Sequence, residues 1–168
     1  MAKLIKADVL PGLTRLLAEG GLTRVHPDAG DATSRAALET LAGLPSYEQV
    51  HAGDHERHVV LLCLLSAERL VGVEVARRAQ LLFERALVLS ERRGAPVVAL
   101  QLAIYERDLP AQERSFVVSQ ARRVRLFTRR ARVGTWAMAL AEPALHHKRL
   151  PAWPAALGPQ AMSALLQK

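Results

Sequence analysis

Val97-Val98-Ala99-Leu100-Gln101-Leu102-Ala103-Ile104-Tyr105 is the stretch on which the fold class turns. Every residue in it but Gln101 is apolar. Pro96 stands before it, and Asp108 and Pro110 follow. A short apolar run bounded by turn residues fits a buried strand and a buried helical segment alike, because periodicity cannot separate them. A strand needs neighbours, since two or three paired strands with a packed face are the smallest stable sheet. No second strand candidate stands out elsewhere in the chain. Ala and Leu, 28 of each, dominate the 168 residues and are strong helix formers, while β-branched residues are scarce outside a few Val pairs. The stretch is therefore read as helix. The fold class expected is all-α: an irregular bundle of about six or seven helices with a proline-punctuated C-terminal arm.

Working outward, the other long apolar run is Val59-Val60-Leu61-Leu62-Cys63-Leu64-Leu65. No proline occurs from Asp54 to Arg93, and apolar residues recur at helical spacing. Forty residues exceed an ordinary globular helix. Two packed helices are expected, with Asp54 as N-cap, a turn near Ser66 to Gly72, and Gly94 as the stop. Toward the N-terminus, Pro11 opens a first helix that leaves at Gly20-Gly21, and a second runs from Thr33 or Ser34 to Gly43. Ser46 and Gln49 stand at capping-box spacing and mark a brief helical turn. Toward the C-terminus, Asp108-Leu109-Pro110 starts a helix that reaches about Val133. A shorter one covers Thr135 to Ala141. The domain reading is a helical domain over 1–142 and an arm over 143–168, packed on that domain or extending from it. Pro151, Trp153, Pro154 and Pro159 punctuate the arm, and a small helix near Gln160 to Gln167 closes it.

At this length one domain buries a sizeable core without disulfides or metal. The single cysteine, Cys63, excludes an intramolecular disulfide, fits a reducing compartment, and sits among apolar neighbours as an inert buried thiol. No stretch approaches the roughly 20 apolar residues of a membrane span, and no signal-peptide hydrophobic region follows Lys3 and Lys6. Nineteen of the 23 basic residues are Arg, a bias associated with GC-rich bacterial genomes. The expected setting is soluble, cytoplasmic and bacterial.

Chemistry-bearing motifs are few. His51, His55 and His58, beside Asp54 and Glu56, are the best arrangement for a metal, since His55 and His58 share a face on a helix. Gly53 and the N-cap at Asp54 leave His51 outside that helix, so solvated polar residues at a helix start are the simpler reading. His146 and His147 are adjacent and point about 100° apart on a helix. Ser66, Ser90, Ser115 and Ser119 lack the glycine context of a nucleophile elbow. Gly20-Gly21 lacks the Lys-Ser or Lys-Thr of a phosphate loop. No motif asks for a cofactor or a catalytic metal, and the chain is read as a non-enzyme. The opening Met1-Ala2-Lys3-Leu4-Ile5-Lys6-Ala7-Asp8 resembles the start of stator proteins that regulate the ATPase of type III and flagellar secretion systems. The resemblance covers these eight residues; Pro11 and Gly12 then replace that family's charged coiled coil, and no function is carried over.

Charge is the unusual feature. Residues 1–113 hold 13 basic and 15 acidic side chains, whereas residues 114–168 hold 10 basic and one acidic, Glu142. Arg122, Arg123, Arg125, Arg129, Arg130 and Arg132 fall within eleven residues. At roughly 100° per residue they and Arg114 cover about half of a helix, opposite Val117, Ala121, Val124, Phe127 and Ala131. Ordinary surface helices interleave Glu with Arg to gain pairs at i,i+4. The function this favours is a protein-interaction or adaptor role, in which Arg114, Arg122, Arg123, Arg125, Arg129, Arg130 and Arg132, with Trp153 of the arm, contact a protein partner. The alternative is a nucleic-acid-binding protein that uses the same arginines on phosphates. With only Gln120 and Thr128 nearby to read bases, such binding would be sequence-tolerant. Acids of residues 1–113 folded against the helix are the third possibility.

Overall fold

The computed structural model describes residues 3–45, 47–119 and 128–167. In chain order the elements are α1 (Lys6–Glu19), β1 (Thr23–Arg24), α2 (Ala32–Leu41), β2 (Gln49–His55), β3 (His58–Ser66) and α3 (Gly72–Arg93). They continue with β4 (Val97–Tyr105), α4 (Ala111–Val118), β5 (Ala131–Ala139), β6 (Ala144–His146), a 3-10 turn (Ala155–Leu157) and α5 (Pro159–Ala164). The strands form one sheet in the order β1-β2-β3-β4-β5-β6. β3, β4 and β5 run parallel, and the remaining pairs are antiparallel.

The fold is α/β, which overturns the all-α helical bundle. The deciding stretch is β4, all nine residues of which are buried. Its partner was in plain view: Val59–Ser66 pairs with Val97–Ile104 in register. Parallel strands covered on both faces read as continuous apolar runs without alternation, so the pattern that usually betrays a strand is missing here. Length was the usable clue, because runs of seven to nine residues bounded by turn residues suit strands better than helices.

Helices cover both faces. Val60, Leu62, Leu64, Val98, Leu100, Leu102, Trp136 and Met138 pack against Val9, Leu13 and Leu17 of α1 and against Leu157, Met162 and Leu166. On the opposite face Leu61, Cys63, Ala99 and Val133 meet Ala37 of α2 and Ala79, Leu82, Ala86 and Leu89 of α3. Farther along that face Ala103, Tyr105 and Ala137 meet Val75 of α3 and Val117 of α4. Residues 143–167 thus supply an edge strand and a share of the core. A buried amide ties the layers together. Gln101 Nε2 donates to the Val75 carbonyl (3.0 Å) and to Thr135 Oγ1 (3.4 Å), while its Oε1 accepts from the Tyr47 hydroxyl (2.7 Å).

The helix expected from Asp108 to Val133 ends at Val118 instead. Thr128 Oγ1 accepts the N–H groups of Arg130 and Ala131, each at 3.1 Å. A threonine hydroxyl bonded to nearby backbone offers the chain a turn in place of a helix, and here that turn launches β5. Arg122, Arg123 and Arg125, with the expected core positions Val124 and Phe127, lie outside the described residues. The helix expected at Thr135 to Ala141 is likewise the second half of β5. The helix expected from Asp54 is the β2–β3 hairpin. Its successor is real: α3 ends at Gly94, whose φ of +63° is the left-handed exit glycine favours.

Candidate functional site

Open α/β sheets commonly bind ligands at the carboxyl ends of their parallel strands, and a charged cluster occupies that end here. Lys6 Nζ lies 2.9 Å from Glu48 Oε2 and 3.4 Å from Ser66 Oγ. Glu106 accepts the Lys6 backbone N–H at 2.7 Å, and so caps the start of α1. Glu68 accepts the N–H groups of Glu106 (2.7 Å) and Arg107 (3.2 Å). The Arg107 fork grips Glu113 at 2.6 and 3.1 Å, and the guanidinium stands 5.1 Å over the Tyr105 ring. Burial, followed by the Glu113 charge, pushes the Tyr105 phenol up to about 12. Each of these charged groups is engaged in holding loops and helix starts, although Glu113 also lines a shallow cavity with Gly72 and Phe116.

The edge of β5 is built differently. The N–H of Val97 donates to the Arg130 carbonyl and that of Leu140 to the Tyr105 carbonyl, both at 2.8 Å. Even-numbered residues of β5 therefore turn their backbone groups toward β4, and odd-numbered ones turn theirs to the opposite side, away from β4. Thr128 satisfies Ala131, and β6 pairs with Ala137 and Ala139. Val133 and Thr135 have no strand beside them among the described residues, yet both are buried.

The reason lies in the path after His146. The His147 ring packs 5.7 Å from that of Trp136, and the Lys148 carbonyl accepts Trp136 Nε1–H at 3.0 Å. Leu150 lies over Gly134, where a Cβ would come within 3.2 Å of Leu150 Cδ1. The chain thus climbs onto one face of β5 instead of following its edge. A cleft of about 370 Å³ remains, lined by Val118, Val133, Gly134, Thr135 and Trp136 with Leu150 and Pro151, and rimmed by Arg132, Lys148 and Arg149.

The surroundings are cationic. Arg129 and Arg130 stand exposed at the start of β5, next to the Gly94–Pro96 turn. Among the described residues no carboxylate is within ion-pair distance of Arg129, Arg130, Arg132, Lys148 or Arg149. Two histidines register the field. Partial burial and then Arg132 hold His58 below its ordinary value, and partial burial, then Arg114 and His147, do the same to His146.

The structure brings Arg129, Arg130 and Arg132 together along β5, and sets Arg114, on α4, close enough to His146 to depress its pKa. Trp153 is half-buried: its ring meets Trp136 edge-on at 6.2 Å, and its Nε1–H donates to the Leu157 carbonyl at 2.8 Å. The helical face that was to join His55 and His58 does not exist, since they oppose each other at the end of the β2–β3 hairpin. His51 is buried four residues back along β2, opposite Leu62. Among the described residues no three His, Cys, Asp or Glu side chains are grouped to hold a metal ion. Lys148 and Arg149 escaped sequence reasoning; their place in the basic segment 114–168, with its 10 basic and one acidic side chain, was the only signal. Among the described residues, no helix is long and apolar enough to cross a membrane. In comparison with known proteins, the chain matches no family model, no curated protein and no solved structure.

Proposed function

We propose that the protein is a non-enzymatic interaction module, an adaptor of a reducing, cytoplasm-like compartment, that offers the cationic β5 edge to an acidic protein partner. One observation carries this reading: Arg129, Arg130, Arg132, Lys148 and Arg149 surround β5 without a carboxylate of the described residues in ion-pair range. Unpaired like charges repel one another, and a partner that supplies the missing acids relieves the repulsion and speeds encounter. The largely apolar cleft beside them favours a protein over nucleic acid, because a phosphate backbone gains nothing from burying Leu150 or Val118. The compartment reading rests on Cys63, free and buried, with its thiol pushed up by burial.

The test is fluorescence anisotropy with a labelled acidic peptide and a generic DNA duplex, each at low and physiological salt. Wild type is compared with the Arg130→Gln, Arg132→Gln, Arg149→Gln triple variant. Peptide binding should weaken with salt and drop by about tenfold in the variant. Equal binding by both proteins removes this surface as the contact site. Tighter binding of the duplex than of the peptide assigns the surface to nucleic acid instead.

A further inference from the structure

We propose that copies of this chain join head to tail, the cationic end of one sheet seated on the acidic, valine-bearing end of the next. This rests on the functional reading above and names the acidic partner as a second copy. β3, β4 and β5 run parallel and in register, so their starts share one end of the sheet and their exits the other. Nine residues per strand, at roughly 3.3 Å each, set those ends about 30 Å apart. The segments that enter the three strands, 56–57, 91–96 and 128–130, hold five basic and two acidic side chains. The segments that leave them, 67–74, 106–113 and 140–143, hold six acidic and two basic.

The exit end also carries exposed apolar surface. Val71 and Val73, at the start of α3, are 61% and 67% exposed, and with Gly72, Pro110 and Phe116 they border a shallow hollow of about 340 Å³. Single exposed apolar residues are ordinary, but two valines beside an apolar hollow form a surface that gains from being covered. The entry end offers a matching face. There the half-buried Ala95 and Pro96 share a second hollow, of about 380 Å³, with the exposed Arg129 and Arg130.

Charge decides the occupant. Arg129 and Arg130 have no carboxylate of the described residues in ion-pair range, while Glu74 and Asp108 stand exposed at the far end. Lys6 and Arg92 do not blur this polarity, since Glu48 and Glu39 pair with them. Opposite charges across a contact steer encounter and fix orientation, whereas like ends brought face to face repel. A two-fold pairing of identical ends is disfavoured for that reason, and the head-to-tail arrangement matches both ends at once. Nucleic acid or an anionic membrane would engage the cationic end and leave Val71 and Val73 uncovered. Each head-to-tail contact leaves one free end of either kind, so association continues past the dimer.

Sedimentation velocity over a concentration series tests this on the full chain. Wild type is compared with an entry-end variant, Arg129→Glu with Arg130→Glu, and an exit-end variant, Val71→Ser and Val73→Ser with Asp108→Lys. Wild type should sediment faster as its concentration rises, without levelling at the dimer, and added salt should weaken the effect. Either variant alone should associate about tenfold or more weakly. All five substituted side chains are exposed, so the circular dichroism of both variants should match wild type. Mixed in equal amounts, the variants should form a dimer and nothing longer, because each keeps the end that the other has lost. A folded pair that stays monomeric when mixed overturns the inference, as does a variant that associates like wild type. So, without any variant, does a wild type that is monomeric up to about 1 mM. The acidic peptide of the binding test separates the two proposals. Peptide bound by a monomeric wild type overturns the second copy and spares the cationic surface, and binding of neither kind overturns both.

Discussion

The two charged regions of this molecule differ in what their charges touch. At the carboxyl end of the parallel strands, Arg107 has Glu113, Lys6 has Glu48, and Glu68 and Glu106 accept backbone N–H groups that would otherwise be unpaired. Along β5, five cations share no carboxylate with the described part of the chain. The first region sits where α/β sheets commonly carry a ligand, yet its groups are spent on structure. The second lies on an edge where no convention places a site, and its groups have no carboxylate in ion-pair range among the described residues. Unengaged charge, rather than charge density or place in the fold, is what separates a contact surface from a structural staple. Variants that perturb each region should separate accordingly.

The largest expected effect comes from a third kind of positive charge, one forced to form inside the sheet. His51 is buried beside Gln49, opposite Arg24 in the β1–β2 ladder, and burial followed by Arg24 lowers its pKa to about 4. In the unfolded chain it protonates near the ordinary 6.5, so between those values the unfolded state binds more protons. Stability is intact above about pH 6.5 and falls as the pH drops toward 4, by about 2–3 kcal/mol from this residue. Chemical denaturation of wild type and His51→Gln at pH 7 and pH 4 should show the variant losing that much less. Parallel slopes would mean that the imidazole reaches water.

Arg107→Met comes next. It leaves the Glu113 carboxylate without its fork and unpins the loop after β4. It should cost about 2 kcal/mol, within the range for half-buried charged hydrogen bonds. The matching change at the other region, Arg129, Arg130 and Arg132 all to Gln, should move stability by no more than about 0.5 kcal/mol in either direction, or raise it by easing repulsion. Urea titrations of the two variants test the contrast directly. If the triple variant falls as far as Arg107→Met, the β5 arginines are structural after all.

How much of this was legible in the sequence follows from the same physics. The last turns of α3, the glycine exit at Gly94 and the closing helix after Pro159 follow from local capping rules, and the structure has them. The sheet was hidden because its central strands are apolar on both faces, and Leu and Ala fill them as readily as they fill helices. β3 and β4 hid each other: with Val59–Leu65 read as helix, Val97–Tyr105 had no partner, and the reverse held too. The arginines of residues 114–132 match helical spacing, but Thr128 turns the chain and puts Arg132 in a strand. The cations of the surface were therefore visible, while its geometry depended on a sheet that composition concealed. Lys148 and Arg149 join the surface only because the chain leaves β6 and passes over Trp136, a consequence of tertiary packing with no local signature.

The smallest effect tests the electrostatic half of the comparison without touching stability. His58 opens β3 at the same end of the sheet as Arg132, and its pKa is held down by partial burial and then by that guanidinium. A paired arginine would be masked by its acid and would exert little field on a neighbour; an unpaired one acts at full strength and is screened by salt. Arg132→Gln should therefore raise the pKa of His58, and added salt should raise it in wild type but much less in the variant. His146 serves as the internal reference, since burial, Arg114 and His147 depress it without Arg132. NMR titration of the two imidazoles in both proteins reads this out. A His58 titration that ignores both the substitution and the salt would mean that Arg132 is compensated, and the contrast between a stitched end and a cationic edge would fail.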